Sequence, residues 1–191
     1  MSTLSNKRII VGITGGIAAY KSAEIVRRLQ DRGAEVQVVM TPSAEEFIRP
    51  LTLQALSGYP VHADLLDPEA EAGMGHIELA RWADLLLIAP ATADFVASMV
   101  HGRGNSLLNA IYLATPARIA VAPAMNQGMW SHPATSDNMQ TLKQRQVMIF
   151  GPDSGIQACG DIGEGRMQQP DTIVDQVANC FETGQLSGKK V

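Results

Sequence analysis

The sequence predicts an α/β fold, with a doubly wound parallel sheet in a single domain. The chain has 191 residues, of which 46% are hydrophobic and 18% charged, which suits one buried core and is too short for two ordinary domains. Only 5% are aromatic, so the apolar content lies in aliphatic residues that pack helices closely on a sheet. Short apolar runs alternate with amphipathic stretches, as expected when helices cover both faces of the strands.

The predicted strands and helices follow one another along the chain. The apolar runs that we predict to be strands are residues 8–13, 35–40, 84–89, 118–122 and 147–150. The amphipathic stretches that we predict to be helices are residues 17–32, 92–99, 106–114, 133–146 and 171–181. Gly33 is placed to end the first helix, and right-handed crossovers then give the doubly wound sheet. Residues 58–77 and 151–169 lack an apolar period and are predicted to form a lid or a binding site.

Residues 12–20 form the predicted passage from the first strand into the first helix. Adjacent glycines there let an anion approach backbone N–H groups, and the helix dipole favours a negative charge. We therefore predict a phosphate site instead of a turn without a ligand. NAD is disfavoured because Thr14 and Ile17 stand where the dinucleotide pattern needs glycine, and no acidic residue closes the second strand. ATP is disfavoured because Tyr20 replaces the glycine that precedes Lys-Ser in a Walker A loop.

Polar residues follow the next two strands at the same edge of the predicted sheet. Thr41 ends the second strand, and the small, polar turn P-A-T-A-D at residues 90–94 ends the third. Open α/β sheets bind ligands at the carboxyl ends of their strands. The sequence thus offers a hydroxyl for a mononucleotide phosphate and room for a flat ring.

Charge and cysteine usage exclude several classes of function. The net charge of −4 leaves no basic stripe for a nucleic-acid backbone. Cys159 and Cys180 have no spacing typical of a metal site or a disulfide framework, so we expect reduced thiols, no metal and a cytoplasmic protein. Glycines interrupt the apolar run near the N-terminus, which argues against a signal peptide, and no apolar stretch is long enough to cross a bilayer.

Four motifs occur in an order that is distinctive when they are taken together. They are G-H-I-E-L-A-R-W-A-D at 75–84, P-A-T-A-D at 90–94, P-A-M-N-Q-G-M-W at 123–130 and A-C-G-D-I-G-E-G-R-M at 158–167. Over almost the whole chain the sequence resembles the FMN-dependent cysteine decarboxylase family of flavoproteins. Within that family it is similar to the bacterial branch that acts on 4′-phosphopantothenoylcysteine in coenzyme A biosynthesis. The last two motifs are much more specific than any glycine turn.

The resemblance implies a Rossmann-like flavoprotein fold and a reaction. FMN would oxidise the substrate to a thioaldehyde, CO₂ would leave, and the ene-thiolate would be reduced again to 4′-phosphopantetheine. The family forms homo-oligomers built from trimers, often dodecamers, with FMN at a subunit interface. In bacteria the domain is commonly the N-terminal half of a bifunctional protein with a synthetase. We accordingly expect residues 1–183 to be the decarboxylase domain and 184–191 to begin a linker or the synthetase domain.

The resemblance also implies roles for single residues. His76 and Cys159 match the family's catalytic residues, with Cys159 as a late proton donor on the lid loop, and Asn126 and Met125 match positions that contact the substrate. The positions that match the cofactor site are Gly15, Gly16, Ile17, Thr41, Phe47, Ala91, Thr92 and Asp94.

Some residues depart from the pattern or are given no catalytic role. The family motif A-N-D-L is here Gly-Asn-Ser-Leu at 104–107, which loses the carboxylate, and we expect Ser106 to cap a helix instead. The histidines predicted to lie on the surface are His62, His101 and His132. The loop acids predicted to serve solvation only are Asp153, Asp161 and Glu164.

Three alternative functions remain from the sequence. A non-enzymatic, flavin-binding regulatory subunit of the same fold would be expected to lack His76 or Cys159. A flavin-dependent prenyl-transfer protein would share the phosphate turn without P-x-M-N or the cysteine lid. A peptidyl-cysteine decarboxylase is less favoured by the sequence of the lid.

Overall fold

The computed structural model describes residues 3–65 and 75–182 of the chain. Within them, five parallel strands form one sheet in the order β2-β1-β3-β4-β5. The strands are β1 Arg8–Ile13, β2 Glu35–Met40, β3 Leu85–Ala91, β4 Arg118–Pro123 and β5 Met148–Ile149. The predicted bounds of these strands are correct to within two residues, because apolar runs flanked by polar residues mark buried parallel strands clearly.

Helices cover both faces of the sheet. They are α1 Lys21–Asp31, α2 Pro50–Ser57, α3 His76–Trp82, α4 Ala93–Val100, α5 Leu107–Ala114, α6 Gln127–Ser131, α7 Pro133–Gln144 and α8 Pro170–Glu182. One core cluster joins alternate residues of β1, such as Ile9 and Val11, to α1, α2 and α8. The other contains Ile10 together with residues of α3, α4, α5 and α7. The predicted doubly wound α/β fold is confirmed.

The structure differs from the predicted elements in several places. Residues 17–32 were predicted to be one helix, but Ile17–Tyr20 is a 3-10 turn and α1 begins at Lys21. The short helices α2, α3 and α6, of eight, seven and five residues, were not predicted. His62 is half-buried instead of lying on the surface, and its ring hydrogen-bonds to Gln37 Oε1 over 2.9 Å.

The two predicted loops have different outcomes. Within 151–169, strands β6 Asp153–Ile156 and β7 Ile162–Arg166 form an antiparallel pair, which we call the hairpin. Of the other loop, 58–77, residues 66–74 lie outside the described residues. No helix in the described part of the chain is long and apolar enough to span a membrane.

The strand order places a switch point at the centre of the sheet. β1 is hydrogen-bonded to β2 on one side and to β3 on the other. The chain therefore adds β2 on one side of β1 and then crosses over β1 to add β3 on the opposite side. Connections at such a point diverge to opposite faces and leave a crevice at the carboxyl ends of the strands, where open α/β sheets bind ligands. The predicted phosphate turn lies at this end of β1.

Candidate active site

The glycine turn, residues 14–17 at the carboxyl end of β1, is shaped by one close approach. A Cβ at Gly15 would lie 2.8 Å from the carbonyl carbon of Ser43, so a side chain there would overlap backbone. Gly16 is extended, with φ −154°, and the nearest atom to a Cβ there is Thr92 Cγ2 at 3.5 Å. Among the described residues, no hydrogen bond engages the backbone N–H of Gly15 or Gly16. The turn therefore presents two free donors just before the 3-10 turn that leads into α1, which suits an anion.

Thr14 ties this turn to the neighbouring strand. Its side chain is almost fully buried, and Oγ1 donates to the Pro90 carbonyl over 2.7 Å and accepts from the Thr92 backbone N–H over 3.1 Å. Thr92 Oγ1 in turn accepts from the Phe95 N–H and caps α4. From the sequence alone, Thr14 is only a departure from the dinucleotide glycine pattern. A hydroxyl directly before a glycine pair was the signal that could have revealed this link.

A cavity of about 390 Å³ opens at the carboxyl ends of β1, β2 and β3. Its volume falls in the range typical of small-molecule sites. The residues that line it are Thr14, Thr41, Pro42, Ser43, Thr92, Asp94, Phe95, Ala97, Ser98, His101, Arg103, Asn105, Ser106 and Asn109. Three of the predicted cofactor positions, Thr41, Thr92 and Asp94, are among them.

The remaining predicted cofactor positions lie elsewhere on the same edge of the sheet. Gly15 and Gly16 form the turn already described. Ile17 and Phe47 are exposed, by 64% and 48%, and follow β1 and β2 respectively. Ala91 is the buried last residue of β3, and its carbonyl accepts from the backbone N–H of Ala124.

Lys21 and Ser22, which resemble the end of a Walker A loop, have other partners. Lys21 is buried, and its Nζ donates to the Met167 carbonyl over 3.1 Å, while Ser22 Oγ donates to the Ala89 carbonyl over 2.7 Å. Burial lowers the pKa of Lys21, and the nearby Arg166 lowers it further. Both side chains thus donate to backbone carbonyls of the protein, so they do not occupy the position of phosphate and metal ligands as they would in an ATP site.

A second region forms where the hairpin packs on residues 125–130, which we call the docking segment. The backbone N–H of Met125 donates to the Gly165 carbonyl over 2.9 Å, and Trp130 Nε1 donates to Glu164 Oε2 over 3.1 Å. Gly165 has φ +132°, and a Cβ there would overlap the Met125 carbonyl, while one at Gly163 would overlap Gln127. The glycines of the A-C-G-D-x-G-x-G motif are therefore what lets the hairpin lie so close to the P-x-M-N motif.

Gln157 stabilises the contact between the hairpin and the docking segment through both the oxygen and the nitrogen of its side-chain amide. Its Oε1 accepts from the backbone N–H of Gln127 over 3.0 Å and from Asn126 Nδ2 over 3.3 Å. Its Nε2 donates to the carbonyls of Met125 and Glu164, over 3.4 and 3.3 Å. Gln157 could not be identified from the sequence, because a glutamine in a glycine-rich loop carries no local signal of its partners.

Asn126, Cys159 and Asp161 meet at the end of the hairpin. Asn126 Oδ1 accepts from the Gly128 N–H over 2.8 Å, and its Nδ2 lies 3.5 Å from Cys159 Sγ and 3.1 Å from Asp161 Oδ2. The Cys159 thiol donates to Asp161 Oδ2 over 3.4 Å and is exposed. This cluster can present an amide N–H and a thiol proton to one ligand.

His76 stands apart from that cluster. It is the half-buried first residue of α3, which packs against α5, and its side chain forms no hydrogen bond to another described residue. The structure thus brings Met125, Asn126 and Cys159 together within one chain, but not His76 with them. Ser106 caps α5 as expected, accepting from the Asn109 N–H over 3.2 Å.

Comparison with known proteins relates this geometry to a family. The flavoprotein family model matches residues 1–182. The coenzyme A biosynthesis bifunctional protein CoaBC of Vibrio cholerae is 58% identical over 191 residues, 100% of this chain and 48% of that protein. The chain therefore spans about half the length of the curated relatives it matches.

Two solved structures are similar over nearly their full length. A cysteine-to-serine mutant of PPC decarboxylase complexed with pantothenoylaminoethenethiol has a TM-score of 0.81 and 31% identity, covering 92% of this chain and 98% of that one. The FMN binding protein AtHal3 has a TM-score of 0.79 and 31% identity, covering 93% and 97%. Because the family match reaches from the first residue to the end of α8, the chain belongs to the flavoprotein family.

Proposed function

We propose that this chain catalyses the FMN-dependent decarboxylation of 4′-phosphopantothenoylcysteine to 4′-phosphopantetheine in coenzyme A biosynthesis. One observation carries the proposal. Asn126 Nδ2 lies 3.5 Å from Cys159 Sγ, in a chain that matches a PPC decarboxylase structure over 98% of that chain. Neither an isolated glycine turn nor the fold alone would distinguish this function from flavin binding.

The glycine turn and the adjoining cavity fit FMN. The free N–H groups of Gly15 and Gly16 and the hydroxyls of Thr41 and Ser43 would hold the phosphate, with the cavity available to the rest of the cofactor. When bound, the flavin supplies a reversible two-electron acceptor, which amino-acid side chains do not provide.

The side chains of the second region would handle the substrate. Asn126 Nδ2 would donate to the substrate carboxylate, since Oδ1 is already occupied by the Gly128 N–H. Loss of CO₂ from the thioaldehyde leaves an ene-thiolate, and the Cys159 thiol would give its proton to the carbon of that ene-thiolate. The electrons removed at the start return at the end, so the net reaction releases only CO₂.

The test is an assay of the purified protein saturated with FMN. We expect a yellow protein that releases CO₂ from 4′-phosphopantothenoylcysteine and forms 4′-phosphopantetheine in equal amount. A peptide that ends in cysteine serves as the comparison substrate and should react far more slowly. Bound flavin without CO₂ release from either substrate would contradict the enzymatic function and favour the regulatory subunit.

The assembly is a further part of the proposal. A homo-oligomer would place His76 in the site of a neighbouring copy, since the single chain does not bring it to Cys159. Mixing His76→Asn with Cys159→Ser subunits should then restore formation of 4′-phosphopantetheine, which neither variant achieves alone. If mixed subunits stay inactive although both bind flavin, His76 does not act across a subunit boundary.

The wider setting is proposed from the relatives. Their description as bifunctional supports fusion of the decarboxylase, residues 1–183, to a synthetase, with 184–191 leading into it. A cytoplasmic location is consistent with the reduced cysteines. Isolation of the full-length protein from the cytoplasmic fraction of cells, followed by assay of both activities in one purified protein, tests both points.

A further inference from the structure

Asp161 occupies the place that the proposed function gives to the substrate carboxylate. Its Oδ2 accepts a hydrogen bond from Asn126 Nδ2 over 3.1 Å, the shortest of the three contacts that this amide nitrogen makes. Asn126 Nδ2 has only two protons to donate, and Gln157 Oε1 is the second oxygen within reach, at 3.3 Å. A substrate carboxylate can reach this amide only by replacing one of its acceptors.

The acceptor that has to leave is Asp161. Gln157 is fixed by three further hydrogen bonds of its side chain, whereas Asp161 is exposed. Two carboxylates beside one amide would also repel each other, because like charges a few ångströms apart disfavour joint occupancy. Asp161 and the substrate carboxylate therefore exclude each other at Asn126.

Cys159 is coupled to the position of Asp161. The thiol donates to Asp161 Oδ2, and the two residues share a tight turn closed by hydrogen bonds from Gln157 N to the Asp161 carbonyl and from Gly160 N to the Gln157 carbonyl. When Asp161 is displaced from Asn126, the thiol that it holds is displaced with it.

We propose that Asp161 replaces the substrate carboxylate on Asn126 once CO₂ has left, and so brings the Cys159 thiol to the ene-thiolate. This inference rests on the proposed function. While the carboxylate is present, Asp161 and the thiol are held away, so the thiol cannot add to the electrophilic thioaldehyde. When the bond to the carboxyl carbon breaks, its electron pair stays in the ene-thiolate, neutral CO₂ departs, and the Asn126 amide is free for Asp161.

Protonation then follows from proximity. The Cys159 S–H bond breaks, its proton joins the ene-thiolate carbon to give a thioaldehyde, and the Cys159 thiolate regains a proton from solvent. The two electrons that the cofactor would have taken up at the start would return as hydride to the thiocarbonyl carbon, which gives the thiol of 4′-phosphopantetheine. Asp161 is a positioning residue in this sequence, since it acts through Cys159 and Asn126. The prediction that Asp161 and Glu164 serve only solvation is wrong, because Asp161 accepts hydrogen bonds from Asn126 and Cys159, and Glu164 accepts one from Trp130.

Two variants of Asp161 separate this role from a purely structural one. Asp161→Ala removes the competitor for Asn126 and the acceptor of the thiol, so we expect KM for 4′-phosphopantothenoylcysteine to fall about threefold to tenfold. The same variant should release CO₂ but form at least about tenfold more ene-thiol relative to 4′-phosphopantetheine than the unaltered protein does. Asp161→Asn keeps an acceptor oxygen without the charge, so it should restore 4′-phosphopantetheine formation while KM stays low.

The products are separated by mass spectrometry, since the ene-thiol has two hydrogens fewer than 4′-phosphopantetheine. Asp153→Asn is the matched control, because it removes a carboxylate from the same hairpin without a hydrogen bond to Asn126 or Cys159, and it should leave the product ratio unchanged. An Asp161→Ala protein that binds FMN, with raised KM and an unchanged product ratio, would overturn this inference alone. Failure of the unaltered, flavin-loaded protein to release CO₂ would overturn the proposed function and this inference with it.

Discussion

The glycine turn and the hairpin differ in what holds them in place. Thr14 and Thr41, beside the turn, are 1% and 8% exposed and lie at the ends of strands buried on both faces. The hairpin has only two strands, and its paired residues Ile156 and Ile162 are 67% and 72% exposed. A two-stranded hairpin is marginally stable by itself, so side-chain hydrogen bonds to the docking segment have to hold it.

The buried turn and the exposed hairpin suit two different tasks in the proposed function. A cofactor that stays bound needs a rigid site, and backbone groups at the ends of buried strands provide one at little entropic cost. In the proposed function the proton donor would act after CO₂ leaves, and an exposed hairpin held by exchangeable hydrogen bonds can move to do so. We expect changes at the turn to abolish flavin binding and changes at the hairpin to spare it.

The largest effect is expected at Gly15. Gly15→Val would drive a branched side chain into the Ser43 backbone, so the purified variant should be colourless and its unfolding free energy lower by about 1–3 kcal/mol. Absorbance at 450 nm and urea denaturation measure the two effects. Gly16→Ala is the matched control for stability, since its Cβ meets only Thr92 Cγ2 at 3.5 Å. Equal loss of stability in both variants would show that the approach to Ser43 does not shape the turn.

The next effect is expected at Gln157. Gln157→Leu removes three hydrogen bonds to the docking segment and one to the Glu164 carbonyl of the hairpin, so kcat should fall by about 100-fold through misplacement of Asn126 and Cys159. Flavin content should be unchanged. Gln144→Leu, at the exposed end of α7, should retain full activity. Loss of flavin in Gln157→Leu would show that the two regions are not independent.

A smaller effect is expected at Thr14. Thr14→Val keeps the shape of the side chain but leaves the Pro90 carbonyl and the Thr92 N–H without a partner, at a cost of about 1–3 kcal/mol. Thermal unfolding and flavin titration check this, with the exposed Thr172→Val as the control. Unchanged stability of Thr14→Val would mean that the link between β1 and β3 does not support the turn.

The smallest effect is expected at Lys21, which connects the two regions by donating to Met167 at the end of the hairpin. Because burial lowers its pKa from the ordinary 10.5, the folded state disfavours the charged form. The loss of unfolding free energy from burying the charged Lys21 is complete below its lowered pKa. It disappears as pH rises from that lowered pKa to 10.5. Over this interval the unfolding free energy of the protein should rise relative to that of Lys21→Met, as followed by urea denaturation.

The exposed Lys143→Met provides the control for Lys21, since it removes a lysine from the surface instead of a buried one. A difference between the protein and Lys21→Met that does not change with pH would contradict the buried charge. In that case the hydrogen bond from Lys21 Nζ to the Met167 carbonyl would not depend on the protonation state of Lys21.

The fold was readily predicted because buried parallel strands are continuous apolar runs. Arg8–Ile13 and Glu35–Met40 match their predicted bounds, since each apolar run begins with a charged residue and is followed by a threonine. The hairpin was not predicted, because its strands contain Gly155, Gly163 and Gly165 and show no alternation of apolar residues. Their role depends on close contact with a segment about 30 residues earlier, which no local pattern records.

The sequence alone determined the α/β class, the glycine turn and, through two specific motifs, the family to which the chain belongs. These follow from local periodicity and from short runs of residues. Only the tertiary structure decided that Thr14 links β1 to β3, that Gln157 anchors the hairpin and that Asp161 shares Asn126 with Cys159. Hydrogen bonds between residues more than 30 positions apart depend on how the sheet and the hairpin bring them together, and that is a property of packing.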